Sequence, residues 1–148
     1  MLKFILIGAG LVAITVVSHA IGTMGWVRIV AKRSNAGNEI WQPHNPLRLL
    51  TGTALVLVVL HSLQIVAWAV TYMYCLPTGV LDTFEEAVYF SFVTFTTLGY
   101  GDITLSEGWR ILSGIEAMNG ILLVGWSTAV LFAVVQRTWQ GVSKQESA

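Results

Sequence analysis

The chain has 148 residues, of which 55% are hydrophobic and 11% are charged, and its formal net charge is zero. A soluble domain of this length carries roughly a quarter charged residues, so the excess of apolar residues indicates a protein that lies in a bilayer. The zero net charge argues against nucleic-acid binding. The single cysteine, Cys75, excludes an intrachain disulfide and a cysteine-based metal cage.

Three apolar runs are long enough to cross a membrane. Each has at least the roughly 20 residues that an α-helix needs to cross about 30 Å of hydrocarbon. Because a spanning segment in lipid must satisfy its own backbone hydrogen bonds, each run predicts a transmembrane helix. These are an extra N-terminal helix over residues 1–31, an outer helix over 51–76 and an inner helix over 110–137.

A shorter apolar segment lies between the second and third runs. Residues 84–95 read FEEAVYFSFVTF, which is too short to span. Thr83 followed by Glu86 fits a capping box, so a helix is predicted to begin near Phe84. Non-helical backbone at membrane depth is tolerated only where protein buries it or it lines a water-filled cavity. A half-helix followed by the polar, glycine-containing residues 96–106 therefore predicts a re-entrant pore loop.

The basic residues predict the orientation, because cytoplasmic loops are enriched in Lys and Arg. Bases cluster around residues 31–50 and follow the third run, whereas the connection over 77–110 carries mostly acids. We therefore expect a cytoplasmic connection over 32–50 and a short cytoplasmic tail over 138–148. The pore loop and the N-terminus then lie outside, and the expected location is the plasma membrane.

The N-terminal run has an alternative interpretation as a signal peptide. Residues 1–20 contain a basic residue, an apolar stretch and a small-residue cleavage site that ends at Ala20. Cleavage there would place the basic residues of 28–48 outside and invert the remaining topology. The intact mass of the mature protein distinguishes the two.

Residues 96–102 read TTLGYGD. With an outer helix, a pore helix and an inner helix in that order, residues 51–137 resemble the potassium channel superfamily, specifically its two-helix-per-pore branch. The TVGYG loop of potassium channels is the known example of a filter lined by backbone carbonyls. The resemblance implies a potassium-selective channel. Its filter would consist of Thr97, Leu98, Gly99, Tyr100 and Gly101.

The chemistry of such a filter explains its residue types. A potassium ion exchanges its water shell for rings of backbone carbonyls, and Gly99 and Gly101 permit backbone angles that a β-carbon opposes. Each chain holds one filter segment, so the expected unit is a homotetramer with fourfold cyclic symmetry. No cofactor is expected besides the permeant K⁺ ions. Their expected ligands are the carbonyls of Thr97, Leu98, Gly99 and Tyr100, with the Thr97 hydroxyl.

The residues around the filter follow the family with one departure. Leu98 occupies the position of the commoner valine or isoleucine; because it contributes a carbonyl, we expect selectivity to survive and inactivation to differ. Tyr100 is retained, rather than replaced by the aspartate of a nonselective relative. Thr96 and Asp102 are expected to support the filter. In the family this acid bonds to the pore helix, and the matching residue here is Tyr89; the alternative is a solvated acid at the vestibule.

The inner helix carries candidate cavity and hinge residues. By the resemblance, Gly120 matches the hinge position, although a glycine in a membrane helix is often a packing device. Ile121, Val124 and Thr128 match cavity-facing positions. The alternative for Thr128 is a hydroxyl that bonds its own backbone.

Glu116 is the unusual residue of the inner helix, because an acid at the centre of a membrane helix costs about 2.5–3.5 kcal/mol on insertion scales. Either its carboxyl is protonated, or its expected partners are Asn119, Ser113 or a pore-loop donor. A role in pH-sensitive gating is a hypothesis. His19 and His61 have the same two interpretations, with hydrogen-bonded interior histidines favoured.

Other classes of protein are less compatible with the sequence. No helix has an arginine at every third position, so no voltage sensor is expected, nor is a regulatory domain after residue 137. No nucleophile–base pair, phosphate loop or metal cluster indicates an enzyme. Two alternatives stay open: a nonselective or Na⁺-permeable cation channel on the same scaffold, and a non-conducting membrane subunit. The N-terminal helix is either a brace or an insertion anchor.

Overall fold

The computed structural model describes residues 2–34, 46–77, 79–106 and 108–146, and this part of the chain contains four helices and no strand. The helices are α1 (Leu2–Ser34), α2 (Pro46–Cys75), α3 (Phe84–Phe95) and α4 (Trp109–Glu146). Three of them, α1, α2 and α4, are long and apolar enough to cross a membrane. The all-α membrane fold, with a short helix between the second and third spans, is therefore confirmed.

Two helix ends differ from the predicted ones. α2 begins at Pro46 rather than at residue 51, because proline suits the first position of a helix, where its missing N–H is not needed. α4 continues to Glu146, so most of the predicted tail over 138–148 is helical. Hydropathy marks only the part of a helix that lies in lipid, whereas the backbone hydrogen bonds continue beyond it. The predicted connection over 32–50 lies mostly outside the described residues.

The short helix α3 is fixed at both ends by local chemistry. The Thr83 hydroxyl accepts a hydrogen bond from the Glu86 N–H at 3.1 Å, and the Glu86 carboxylate accepts one from the Thr83 N–H at 3.1 Å. This complete capping box stabilises the start of the helix by about 1 kcal/mol. The helix ends before Thr97 because that residue has a φ of 59°, which a right-handed helix cannot continue.

α3 lies between α2 and α4 and forms the centre of the apolar core. Its Phe90 ring meets the Tyr72 ring of α2 edge to face, with 5.2 Å between centroids. The same buried cluster includes Trp68 of α2 and Leu112 and Leu123 of α4. The pore-loop region is therefore held by both of the neighbouring spanning helices.

α1 packs closely along α4 and α2 through glycines. A β-carbon at Gly8 would lie 2.8 Å from the Ile115 side chain, and one at Gly22 would lie 2.6 Å from Leu60, so small residues allow the helices to approach. The Phe4 ring contacts Trp109 at 4.6 Å between centroids. Because both residues lie near the starts of their helices, the N-terminus is on the same side of the bundle as the start of α4.

Candidate functional site: the pore loop

The chain turns back at the end of α3, and hydrogen bonds to the last turn of the helix hold the returning segment. The N–H groups of Leu98 and Gly99 both donate to the Val93 carbonyl, at 2.9 and 3.2 Å, and the Thr97 N–H donates to Thr94 at 2.9 Å. The last carbonyls of a helix otherwise have no partner. These bonds therefore fix the first filter residues relative to α3.

The backbone of the loop alternates in the sign of φ. Thr97, Gly99 and Gly101 have φ of 59°, 53° and 79°, while Leu98 and Tyr100 between them do not have positive φ. In a β-strand successive carbonyls point to opposite sides, whereas a change in the sign of φ at every residue can turn successive backbone groups toward one side. The glycines were expected to need special angles, but the strained Thr97 was not, and such strain often marks functional segments.

The outer end of the loop is tied to α3 by the predicted contact. The Tyr89 hydroxyl donates a hydrogen bond of 2.6 Å to the Asp102 carboxylate. This bond holds the pKa of Asp102 below its usual range and raises the pKa of Tyr89, because it favours the ionised acid and the neutral phenol. The loop is thus attached to α3 at Val93 and, one turn earlier, at Tyr89.

The filter residues are uncovered in a single chain. Leu98 is 55% exposed and Tyr100 is 67% exposed. A cavity of about 550 Å³ lies beside the loop, lined by α3, the loop and α4, including Thr97, Gly101 and Ala117. Exposed apolar surface next to such a cavity is typical of an interaction surface.

Gly120 brings α4 against the end of α3. A β-carbon at this buried residue would lie 2.8 Å from the carbonyl carbon of Phe95 and closer still to its oxygen. Only glycine therefore allows this approach of helix to backbone. The contact establishes a packing role for Gly120, while its role as a hinge stays a prediction.

The predicted cavity residues lie on the exposed surface of α4. Ile121, Val124 and Thr128 are all exposed in the single chain. The Thr128 hydroxyl donates to the Val124 carbonyl at 2.9 Å, which is the backbone-bonded alternative. That these residues line a cavity in the assembled channel stays a prediction.

Glu116 is fully buried, and two of its expected partners bond elsewhere. Ser113 donates to the Arg110 carbonyl, and the Asn119 amide donates to Thr15 of α1. The prediction was wrong for both because the sequence shows only neighbours on the same helix, whereas the partner of Glu116 lies on another.

That partner is Tyr72 of α2, whose hydroxyl donates to Oε2 of Glu116 at 2.8 Å. Ser91 of α3 also faces this carboxyl, but no hydrogen bond of regular geometry joins the two, and Oε1 of Glu116 has no partner among the described residues. Glu116 of α4 therefore bonds to α2 and lies beside α3 without a hydrogen bond to it. Its role in pH-sensitive gating stays a prediction.

His19 is buried and His61 is half-buried, and both are hydrogen-bonded, which is the interpretation favoured from the sequence. His61 bonds Gln64 and Ser127, and His19 bonds the same two residues. No motif or spacing in the sequence selects Tyr72 as the partner of Glu116, or Gln64 and Ser127 as the partners of the histidines. The available signal was the presence of a polar group within each apolar run.

Three helices long enough to span, a capped half-helix between the last two, and a returning loop with alternating φ define a pore-loop membrane protein. Residues 58–137 match the family described as "Ion channel", which has the two-transmembrane type of pore. The match covers more than half of the chain, and the chain belongs to this family. It is an integral membrane ion channel. Members of this family usually form oligomeric pores in the membrane and are in general not enzymes. No curated protein and no solved structure matched the chain.

Proposed function

We propose that the protein is the subunit of a potassium-selective channel that conducts K⁺ passively through a homotetrameric pore. The observation that carries the proposal is the alternation of φ over residues 97–101, in a Thr-Leu-Gly-Tyr-Gly segment attached to α3. Such a segment can present carbonyl oxygens from successive residues along one line, which is what replaces the hydration shell of K⁺ in a filter.

Assembly as a tetramer is supported by what a single chain leaves uncovered. One loop cannot surround an ion, and closed cyclic symmetry is the common way for identical chains to complete a ring. Leu98 and Tyr100 are exposed beside the cavity that α4 and the loop form, so neighbouring subunits are the proposed cover. The C-terminal end of α3 would add partial negative charge beneath the filter.

The proposed orientation places the loop and the N-terminus outside and the C-terminus in the cytoplasm of a cell with this channel in its plasma membrane. It is supported by the bases around residues 31–50 and the acids of residues 77–110. The contact of Phe4 with Trp109 is consistent with it, because the N-terminus then shares a side with the start of α4.

The test is ion flux through purified protein in liposomes, with reversal potentials in mixed K⁺ and Na⁺. We expect K⁺-driven flux that barium blocks and a reversal potential close to that of K⁺. Equal K⁺ and Na⁺ permeability would instead favour a nonselective cation channel, and the absence of flux for either ion would favour a non-conducting subunit.

A pair of glycine substitutions isolates the filter. Gly99 and Gly79 both have positive φ, of 53° and 93°, and none of the described residues lies within 4 Å of a β-carbon at either position. Alanine therefore strains the backbone at both positions without a clash, and no less at Gly79 than at Gly99. Gly99→Ala should abolish selective K⁺ flux, whereas Gly79→Ala, which lies before α3, should retain it. Equal effects of the two variants would contradict a filter at residues 97–101.

A further inference from the structure

Four polar side chains from all three spanning helices form a closed ring of hydrogen bonds inside the bundle. His61 Nδ1 lies 3.2 Å from Gln64 Oε1, and its Nε2 lies 2.8 Å from Ser127 Oγ. His19 completes the ring, with Nε2 at 3.2 Å from Ser127 Oγ and Nδ1 at 3.1 Å from Gln64 Nε2. The ring therefore joins α1, α2 and α4.

The ring has one direction of donation. Gln64 Nε2 also faces the Thr15 carbonyl at 3.4 Å, which places the amide nitrogen toward α1 and the amide oxygen toward His61. The Nδ1–H of His61 then donates to Gln64, and its Nε2 accepts from the Ser127 hydroxyl. The Nε2–H of His19 donates to Ser127, and its Nδ1 accepts from Gln64. Each ring nitrogen has one partner of the right kind, which specifies both tautomers.

The ring contacts the end of the pore helix. The His61 imidazole lies 5.8 Å from the ring of Phe95, between centroids, and stacks on His19 at 5.3 Å. Phe95 is the last residue of α3, and its carbonyl rests against Gly120 of α4. The chain enters the filter two residues later, at Thr97, so the position of Phe95 determines where the filter begins.

We propose that this ring is a positioning device for the filter, in which His61, oriented by Ser127, Gln64 and His19, holds Phe95 in place. The inference rests on the proposed function, because the filter is what the ring would position. It also assigns a role to α1, which supplies His19 and so takes part in supporting the pore loop.

Stability alone does not account for such a ring. Hydrogen bonds between helices within membranes stabilise only weakly, and α1 already packs through Gly8 and Gly22. A fully satisfied polar network does restrict the orientation of its members, because each donor must face its acceptor. The rigid orientation of His61 against Phe95 is therefore the effect that the ring supplies best.

The test compares Ser127→Ala, which removes the hydroxyl, with Ser127→Thr, which retains it. Ser62→Ala is the matched control, because Ser62 is exposed on α2 and its hydroxyl donates to the Val58 carbonyl of its own helix. We expect Ser127→Ala to lower the K⁺/Na⁺ permeability ratio by about threefold, the factor that corresponds to ~0.6 kcal/mol. Ser127→Thr and Ser62→Ala should keep the wild-type ratio.

Double substitution tests the route through the aromatic contact. If the ring acts through His61 and Phe95, the effects of Ser127→Ala and Phe95→Leu on the permeability ratio should be non-additive. Additive effects would overturn the inference. His61→Phe keeps an aromatic ring beside Phe95 but removes both hydrogen bonds of the imidazole, and it should lower the permeability ratio by a similar factor. This variant tests the inference independently if Ser127→Ala does not assemble.

The outcomes separate this inference from the proposed function. A wild-type channel that is K⁺-selective, together with Ser127→Ala and His61→Phe variants of unchanged ratio, overturns the positioning role and leaves the function intact. A wild-type protein without K⁺ selectivity overturns the proposed function and, with it, the positioning of a filter.

Discussion

Replacement of Gly120 by alanine tests how the pore helix is held. The hydrogen atoms of Gly120 face the backbone of Phe95, and a β-carbon there would lie 2.8 Å from the carbonyl carbon and 3.2 Å from Cα. Ordinary van der Waals contact begins at 3.4 Å. The carbonyl carbon must therefore move by at least 0.6 Å, and its oxygen, which is closer, by more.

The energetic cost follows from which atoms must move. Overpacking in a well-packed interior costs about 1–3 kcal/mol, and we expect the upper end because the obstructing atoms belong to backbone rather than to a flexible side chain. Alanine gains up to about 1 kcal/mol over glycine from helix propensity. The net loss of stability for Gly120→Ala is therefore about 2 kcal/mol. Filter geometry should change as well, since Phe95 leads directly to Thr97.

The assay is unfolding of the reconstituted protein with SDS in mixed micelles, together with K⁺ flux. Gly125→Ala on the same helix is the matched control, because none of the described residues lies within 4 Å of a β-carbon at that position. We expect a lower unfolding midpoint and reduced flux for Gly120→Ala, with a stability near the wild type for Gly125→Ala. Wild-type stability of Gly120→Ala with altered opening would refute the packing argument and support a hinge instead.

Two further predictions concern a hydrogen bond on the pore helix and one beside it. Because the pKa of Asp102 is held below its ordinary value of 3.8, the Tyr89 bond contributes stability above that pH and loses it only as the pH falls through the lowered pKa. The K⁺ selectivity of the wild type should therefore be equal at pH 7 and pH 5, and Tyr89→Phe should reduce it at both. A wild-type selectivity that falls between pH 7 and pH 5 would contradict a lowered pKa of Asp102. Tyr72→Phe leaves both carboxyl oxygens of Glu116 without a donor and should cost about 1–3 kcal/mol in the SDS assay. Glu116→Gln keeps an acceptor for the Tyr72 hydroxyl and should lose less stability. Equal losses for the two variants would exclude an unsatisfied Glu116 carboxyl as the cause.

The fold was largely predictable because membrane solvation is a simple constraint. A run of about 20 apolar residues in lipid has few alternatives to a helix, so all three spans were identified. The limits of α3 were equally accessible, since Thr83 and Glu86 form a capping box that the sequence displays. The end of α4 could not be predicted, because the residues beyond 137 are mostly polar and hydropathy does not show whether they continue the helix.

The site was predictable where its chemistry is local in sequence. The positive φ of Gly99 and Gly101 belongs to residues that favour it, and the bond between Tyr89 and Asp102 was suggested by the family resemblance. The partners of Glu116 were not predictable, because contacts between different helices depend on their rotation and depth. A hydropathy pattern specifies neither quantity, and a polar residue on an apolar helix has many candidate partners.

Two groups of polar residues on the spanning helices lie against α3, and this shared location gives them a common explanation. Tyr72 and Glu116 meet beside Ser91 in the middle of α3, and His61 meets Phe95 at its end. Polar groups inside a membrane are costly and persist where they serve a purpose. Apolar packing can bury α3, but it tolerates small rotations and shifts, whereas a hydrogen bond with one donor and one acceptor does not. Since a carbonyl filter depends on the position of the helix that carries it, polar contacts around this one short helix are where fixed geometry would contribute most.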